Sequence, residues 1–183
     1  MSMFDRIKDT ARQRLQGGSS SHSGGLGRLG GGSAGSGKKS QLVSMLKSQL
    51  AAAKSELKSG AYRDASMAMC ALVAAADGTV DASERQRMES LIVSNEVLQN
   101  FPPDDLRKRF NKHVDQLMSD FPSGKSTALQ DIAKTKKKPA EARAVVQTGI
   151  VIAGADGYFA QSEQDVIREA CHALGLAPTE FGI

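Results

Sequence analysis

Two stretches of this chain repeat one another. Residues 71–84 align without gaps on residues 150–163. Each carries an Asp-Gly pair (Asp77-Gly78, Asp156-Gly157), an apolar residue two places after the Gly (Val80, Phe159) and a Ser-Glu pair (Ser83-Glu84, Ser162-Glu163). The Asp-Gly pair follows a run that is apolar nearly all round, Tyr62 to Ala76 in one copy and Pro139 to Ala155 in the other. Runs of that length exceed a typical strand and suit a buried helix. A Gly just past such a run fits the left-handed position at which helices commonly end. Ser-Glu after one apolar residue reads as the opening of an amphipathic helix. The core is therefore expected to be built from two helical hairpins of one design. Small residues align as well, Cys70 with Gly149 and Ala75 with Gly154, and would let the two buried helices approach closely if they pack together.

The flanking sequence keeps the same three-to-four spacing. Leu42, Met45, Leu46, Leu50, Ala53 and Leu57 form one stripe, which Gly60 is expected to end; Met88, Leu91 and Ile92 form a second. Pro102-Pro103 breaks the chain before Leu106, Phe110, Val114, Leu117 and Phe121, and a weaker segment surrounds Leu129 and Ile132. Val166, Ile167, Ala170 and Leu174 mark a last helix that stops at Gly175. The chain has no Trp and few other aromatics, a mixture that favours helix over sheet. Residues 41–183 are read as a single all-α domain.

Ahead of the domain, residues 3–16 set Phe4, Ile7, Ala11 and Leu15 on one helical face, with Arg6, Lys8, Arg12 and Arg14 elsewhere. This predicts a short basic amphipathic helix over 1–16, marginal by itself in water. Residues 17–40 hold more than half of the 18 glycines and many serines, a flexible linker spanning roughly 27 Å root-mean-square. The charge is located accordingly. Seven Lys/Arg against Asp5 and Asp9 give residues 1–40 a net +5, so the whole-chain +4 leaves residues 41–183 at −1. A nearly neutral domain argues against nucleic acid as its partner, while the basic arm suits an anionic membrane surface or a partner helix. No apolar run approaches the ~20 residues that span a bilayer, and no secretory signal follows Met1. Two cysteines far apart, Cys70 and Cys171, read as buried small hydrophobes in a reducing compartment. The expected location is cytoplasmic, with the arm allowing a peripheral place at the membrane.

Four acids stand at equivalent places in the hairpins: Asp77, Glu84, Asp156 and Glu163. An Asp at a helix C-terminus opposes the helix dipole, so its use in both copies asks for a reason. One reason is structural: each Asp accepts N–H bonds from its own turn, and each Glu is a first-turn acid, with Asp81 and Glu84 forming a capping box. The other is chemical: paired carboxylates bind a hard divalent cation. The spacing from Asp to Glu matches the back half of a calcium-binding EF-hand loop. The two earlier ligand places, however, hold Val73 and Ala75 in one copy and Ile152 and Gly154 in the other. A site would survive only if both hairpins pooled their acids.

Other motifs fall away. Lys39 replaces the Ser/Thr that a phosphate-binding loop needs after Gly37-Lys38, no strand precedes it, and Gly124-Lys125-Ser126-Thr127 lacks the motif's first Gly. Lys136-Lys137-Lys138 reads as a solvated turn, His113 as a boundary histidine, and Cys171-His172 as adjacent helical residues pointing about 100° apart. No catalytic Ser-His-Asp or Cys-His set has motif support, so the chain is read as non-enzymatic. Two rivals stand beside this reading: a membrane-surface or protein-partner adaptor acting through the N-terminal amphipathic helix, with the acids purely structural, and a metal-dependent enzyme acting on a phosphate or oxyanion.

The two Ala-Asp-Gly-x-apolar-x-x-Ser-Glu segments, the ending Leu174-Gly175-Leu176-Ala177-Pro178-Thr179-Glu180-Phe181 and the Ser2-Met3-Phe4 start resemble the TerB family of tellurite resistance. The resemblance implies an all-α fold and a bacterial stress-response system working beside membrane-associated protein partners. It also implies a divalent cation on hairpin acids, which here are Asp77, Glu84, Asp156 and Glu163. Ala160 stands where the first copy has Asp81, so Asp81 is peripheral to any symmetric site.

Overall fold

The computed structural model describes residues 34–183. The expected amphipathic helix over 1–16, and the linker as far as residue 33, lie outside the described residues. The rest of that linker differs from expectation, because helix α1 spans Ala34–Ala53 and takes in residues 34–40. Gly37 is the last glycine before the stripe, and each Gly costs a growing helix only about 1 kcal/mol relative to Ala. Extension backward from the buried anchors Leu46 and Leu50 therefore carries through it.

A 3₁₀ turn, Lys54–Glu56, then leads to α2, Gly60–Ala74. Gly60 does not stop the preceding helix; it opens the next one, behind Ser59, whose side chain accepts the Tyr62 N–H at 3.1 Å. Helix α3 covers Ala82–Ser94, α4 Pro103–Ser119, α5 Phe121–Ala133, α6 Pro139–Ala153 and α7 Gln161–Leu174. Among the described residues there is no strand, and no helix is long and apolar enough to cross a membrane. The fold is all-α, as the spacing predicts.

Helix α2 is the central post, with Tyr62 and everything from Ala65 to Val73 buried. It packs against α4, α5 and α6, with α7 alongside; α1 lies on α6. Deep between the two repeat helices the Tyr62 hydroxyl meets Thr148 Oγ1 at 2.8 Å, and Thr148 donates onward to the Ala144 carbonyl at 2.8 Å. Tyr62 is therefore the donor in that pair. Burial pushes its pKa up to about 12, which keeps the hydroxyl neutral and this chain intact. The aligned small residues divide their work. A Cβ on Gly149 would stand 2.6 Å from Met69 Cγ on α2, whereas one on Gly154 would stand 2.6 Å from Val43 Cγ2 on α1. Only the first serves the approach of the two repeat helices; the second admits α1.

The run ending in Phe121 is two helices, because Asp120 caps α5 by accepting the Ser123 N–H at 3.3 Å. Just inside α5, a Cβ on Gly124 would lie 2.7 Å from the Leu117 Cα and N of α4. The Gly that mimics a phosphate loop in the sequence is the point where two helix backbones touch.

Candidate functional site

Both hairpin turns are assembled from their own residues. Helix α2 stops at Ala74, so Asp77 stands in a tight turn beyond it, whereas α6 stops at Ala153 and runs on into a 3₁₀ turn, Gly154–Asp156, of which Asp156 is the last residue. The next residue carries positive φ in each, +92° at Gly78 and +79° at Gly157. Asp77 Oδ1 accepts the Thr79 N–H at 3.2 Å, and Asp156 Oδ1 accepts the Tyr158 N–H at 3.0 Å. One oxygen of each aspartate thus serves its own turn, as the structural reading expects.

The glutamates fold back onto the starts of α3 and α7. Glu84 Oε2 accepts the Asp81 N–H at 3.0 Å, and Glu163 Oε2 accepts the Ala160 N–H at 2.7 Å. In the first hairpin Asp81 returns the favour by accepting the Glu84 N–H at 2.8 Å, completing a capping box. Ala160 has no oxygen to offer, so the second box has only its return half. Both glutamates are buried, Glu84 at 4% and Glu163 at 1% exposure. The spacing places them as first-turn acids and gives no sign of this burial.

Around Glu163 the two hairpins meet. It lines a cleft walled by Val73, Met88, Leu91 and Ile152 that also holds Glu84 and Asp156. It lines a second, adjoining cleft with Asp77 and Tyr158. Arg87, on α3 of the first hairpin, reaches Asp156 in the second at 3.6 Å. Glu163 Oε1 is buried without a hydrogen-bond partner. Burial pushes the Glu163 carboxyl up to about 7; the Ala160 N–H opposes the rise, and the nearby Asp156 and Asp77 charges add to it. All four acids therefore border two clefts that share Glu163. They do not converge on one point: among the described residues no group of three or more His, Cys, Asp or Glu is placed to hold a metal ion. The donor set is carboxylate oxygen throughout, which suits a hard cation completing its shell with water. Sequence reasoning missed Arg87; its only signal is its place one helical turn after Glu84.

Neither cysteine joins this chemistry. Both are fully buried, and burial pushes Cys70 up to about 12 and Cys171 to about 11, so neither supplies a thiolate at neutral pH. His113 is buried rather than at a boundary, with Nε2 at 3.2 Å from Asp131.

Residues 63–183 match the family described as Tellurite resistance protein TerB. The chain belongs to the TerB family. The match takes in both hairpins and all four acids, and leaves out α1. This TerB chain is similar to the Tellurium resistance protein TerB of Alcaligenes sp, with 29% identity over 93 residues, covering 51% of this chain and 76% of that protein. No solved structure matches it. Membership of the TerB family supports a role in tellurite resistance.

Proposed function

We propose that this TerB protein is a non-catalytic component of tellurite resistance that binds a hard divalent cation where its two hairpins meet. The observation that carries the proposal is Glu163: a carboxylate 1% exposed, with one oxygen unpartnered, beside Asp77 and Asp156. Burying such a group so close to two more acids is unfavourable unless a proton or a cation neutralises it. A cation would supply that positive charge, with Asp77, Glu84, Asp156 and Glu163 as its protein oxygens. The turn and cap bonds hold the four side chains near the clefts before any ion arrives. Because no three acids are preassembled, binding is weak and reversible, in keeping with a scaffold that responds to cation concentration and presents the loaded state to partner proteins.

Thermal unfolding of the full chain with calcium, magnesium, manganese or zinc tests this. An ion selective for the folded state at ten times its Kd stabilises by about 1.4 kcal/mol, raising Tm by roughly 3–6 °C in a domain of this size. The hard oxygen set predicts the effect with calcium, magnesium or manganese, and a loss of it in Asp77→Asn plus Asp156→Asn. Binding should tighten from pH 6 to pH 8 as Glu163 ionises. Equal melting curves with and without every ion would return all four acids to a purely structural role.

A further inference from the structure

A polar pocket at the junction of α2, α4 and α5 shares no residue with the clefts between the hairpins. Its volume is about 300 Å³, and its walls are Asp64, Lys108, Arg109, Lys112, His113 and Asp131. That volume reaches the range of small-molecule sites. Every wall residue is charged or titratable, so the pocket suits only a charged or strongly polar ligand.

The sign of that ligand follows from which charges are already paired. Asp64 accepts from Arg63 Nε at 2.9 Å and from Arg109 Nε at 2.6 Å. Asp131 is met by Lys134 and by His113, whose Nε2 lies at 3.2 Å. Lys108 and Lys112, by contrast, have no ion-pair partner among the described residues. They stand one turn apart on α4, a like-charge spacing that opposes helix formation. With the partners Arg63, Lys134 and Asp105 included, five cations stand against three carboxylates, in a domain whose net charge is −1. His113 is 5% exposed, and its Nδ1 is buried without a hydrogen-bond partner. A polar atom buried in that way is unfavourable unless a proton or a ligand group reaches it. Burial lowers the His113 pKa; the Asp131 and Asp64 charges oppose this and the Lys112 charge adds to it. An anion drawn in beside the ring favours its charged form, so the histidine joins the lysines once the pocket is filled.

We propose that Lys108, Arg109 and Lys112 bind a doubly charged oxyanion of the phosphate class in the pocket between α2, α4 and α5. Arg109 commits Nε to Asp64 and stands with Nη1 at 3.9 Å from Asp105, leaving Nη2 as a planar donor. The two lysines bring mobile point charges from the same helix. Charge-assisted bonds of both kinds are the strong ones for an oxyanion. A free anion and the phosphate group of a small molecule present the same chemistry here. Binding is independent of any cation at the hairpins, since the two places share no residue.

Amide spectra of the full isotope-labelled chain test it, in a divalent-free buffer at pH 8 and constant ionic strength. Inorganic phosphate should shift the signals of Asp64, Arg109, His113 and Asp131 along saturating curves, and chloride should not. Lys108→Gln plus Lys112→Gln changes two exposed side chains, so the phosphate-free spectrum and the Tm should stay nearly as in wild type. The same variant should weaken phosphate binding by about tenfold or more. Adenosine monophosphate separates the two sources. An affinity no greater than that of phosphate assigns the pocket to a free anion. Tighter binding, with adenosine alone silent, assigns it to a phosphate carried on a small molecule. Three results would overturn the proposal: shifts that rise linearly and spread over all exposed lysines, shifts centred on residues 136–138, or a double variant that binds phosphate as wild type does.

Discussion

Replacing Glu163 by Gln is expected to stabilise the protein at pH 8 by up to about 3 kcal/mol and at pH 5 by less than about 1 kcal/mol. The folded protein holds the Glu163 carboxyl at about 7 against an ordinary 4.5, a gap worth about 3 kcal/mol. Because the folded-state pKa is the higher one, the folded protein keeps a proton that the unfolded chain has already released between those values. Stability from this group is thus complete below pH 4.5, falls as pH rises toward 7, and stays low above it. Gln is neutral throughout and keeps an oxygen for the Ala160 N–H, so it mimics the protonated acid at every pH. Urea unfolding of wild type and Glu163→Gln in chelator, at pH 5 and pH 8, should give curves that lie close together at the lower pH and separate widely at the higher. The gap should appear as a Tm difference of roughly 5–10 °C at pH 8. Equal separation at both values would mean that the carboxyl is not held protonated by its surroundings. Asp77→Asn plus Asp156→Asn should narrow the gap, since both charges contribute to the rise.

Gly124→Ala is expected to destabilise the domain by about 1–2 kcal/mol. The new methyl would sit 2.7 Å from the Leu117 Cα and N, and these are backbone atoms that cannot rotate away. Helices α4 and α5 must move apart, disturbing the packing of the buried Leu117, Ala128 and Ile132. Overpacking of this kind costs about 1–3 kcal/mol and occasionally more, against a propensity gain of about 1 kcal/mol from replacing Gly inside a helix. The urea midpoint should fall with an unchanged m-value. Gly60→Ala is the control: its Cβ would meet only the mobile end of Arg63, at 3.4 Å, so stability should stay within about 0.5 kcal/mol. If both variants melt alike, the backbone contact at Gly124 is looser than the structure describes.

The helices were legible because their signals are local. Apolar spacing marked α2, α6 and α7, Pro139 and Gly175 marked ends, and the repeat located both turns. Boundaries failed where one residue type serves two ends: Gly60 stands as readily at a helix start as at its stop. Gly124 was illegible for another reason, since what it touches lies on a neighbouring helix. The acids were half legible. Spacing placed Asp77, Glu84, Asp156 and Glu163 in their turns and caps, but burial of Glu163, the reach of Arg87 across hairpins and the division into two clefts depend on how α3 and α7 settle against α2 and α6.

The missing oxygen at Ala160 makes the two hairpins unequal in time as well as in shape. The start of α3 is latched from both sides by Asp81 and Glu84; the start of α7 lacks the N-cap half of that latch and is held by the bond from the Ala160 N–H to Glu163 and the longer one from Gln164 Nε2 to the Phe159 carbonyl. Amide exchange begins where the fewest bonds must break, so residues 160–163 should open far more often than 81–84. Each opening lets water reach a carboxyl that loses its proton more readily outside than inside. Alkaline conditions would then hold the second hairpin open for longer and leave the first one closed, so that one copy of the repeat breathes with pH while its twin keeps still.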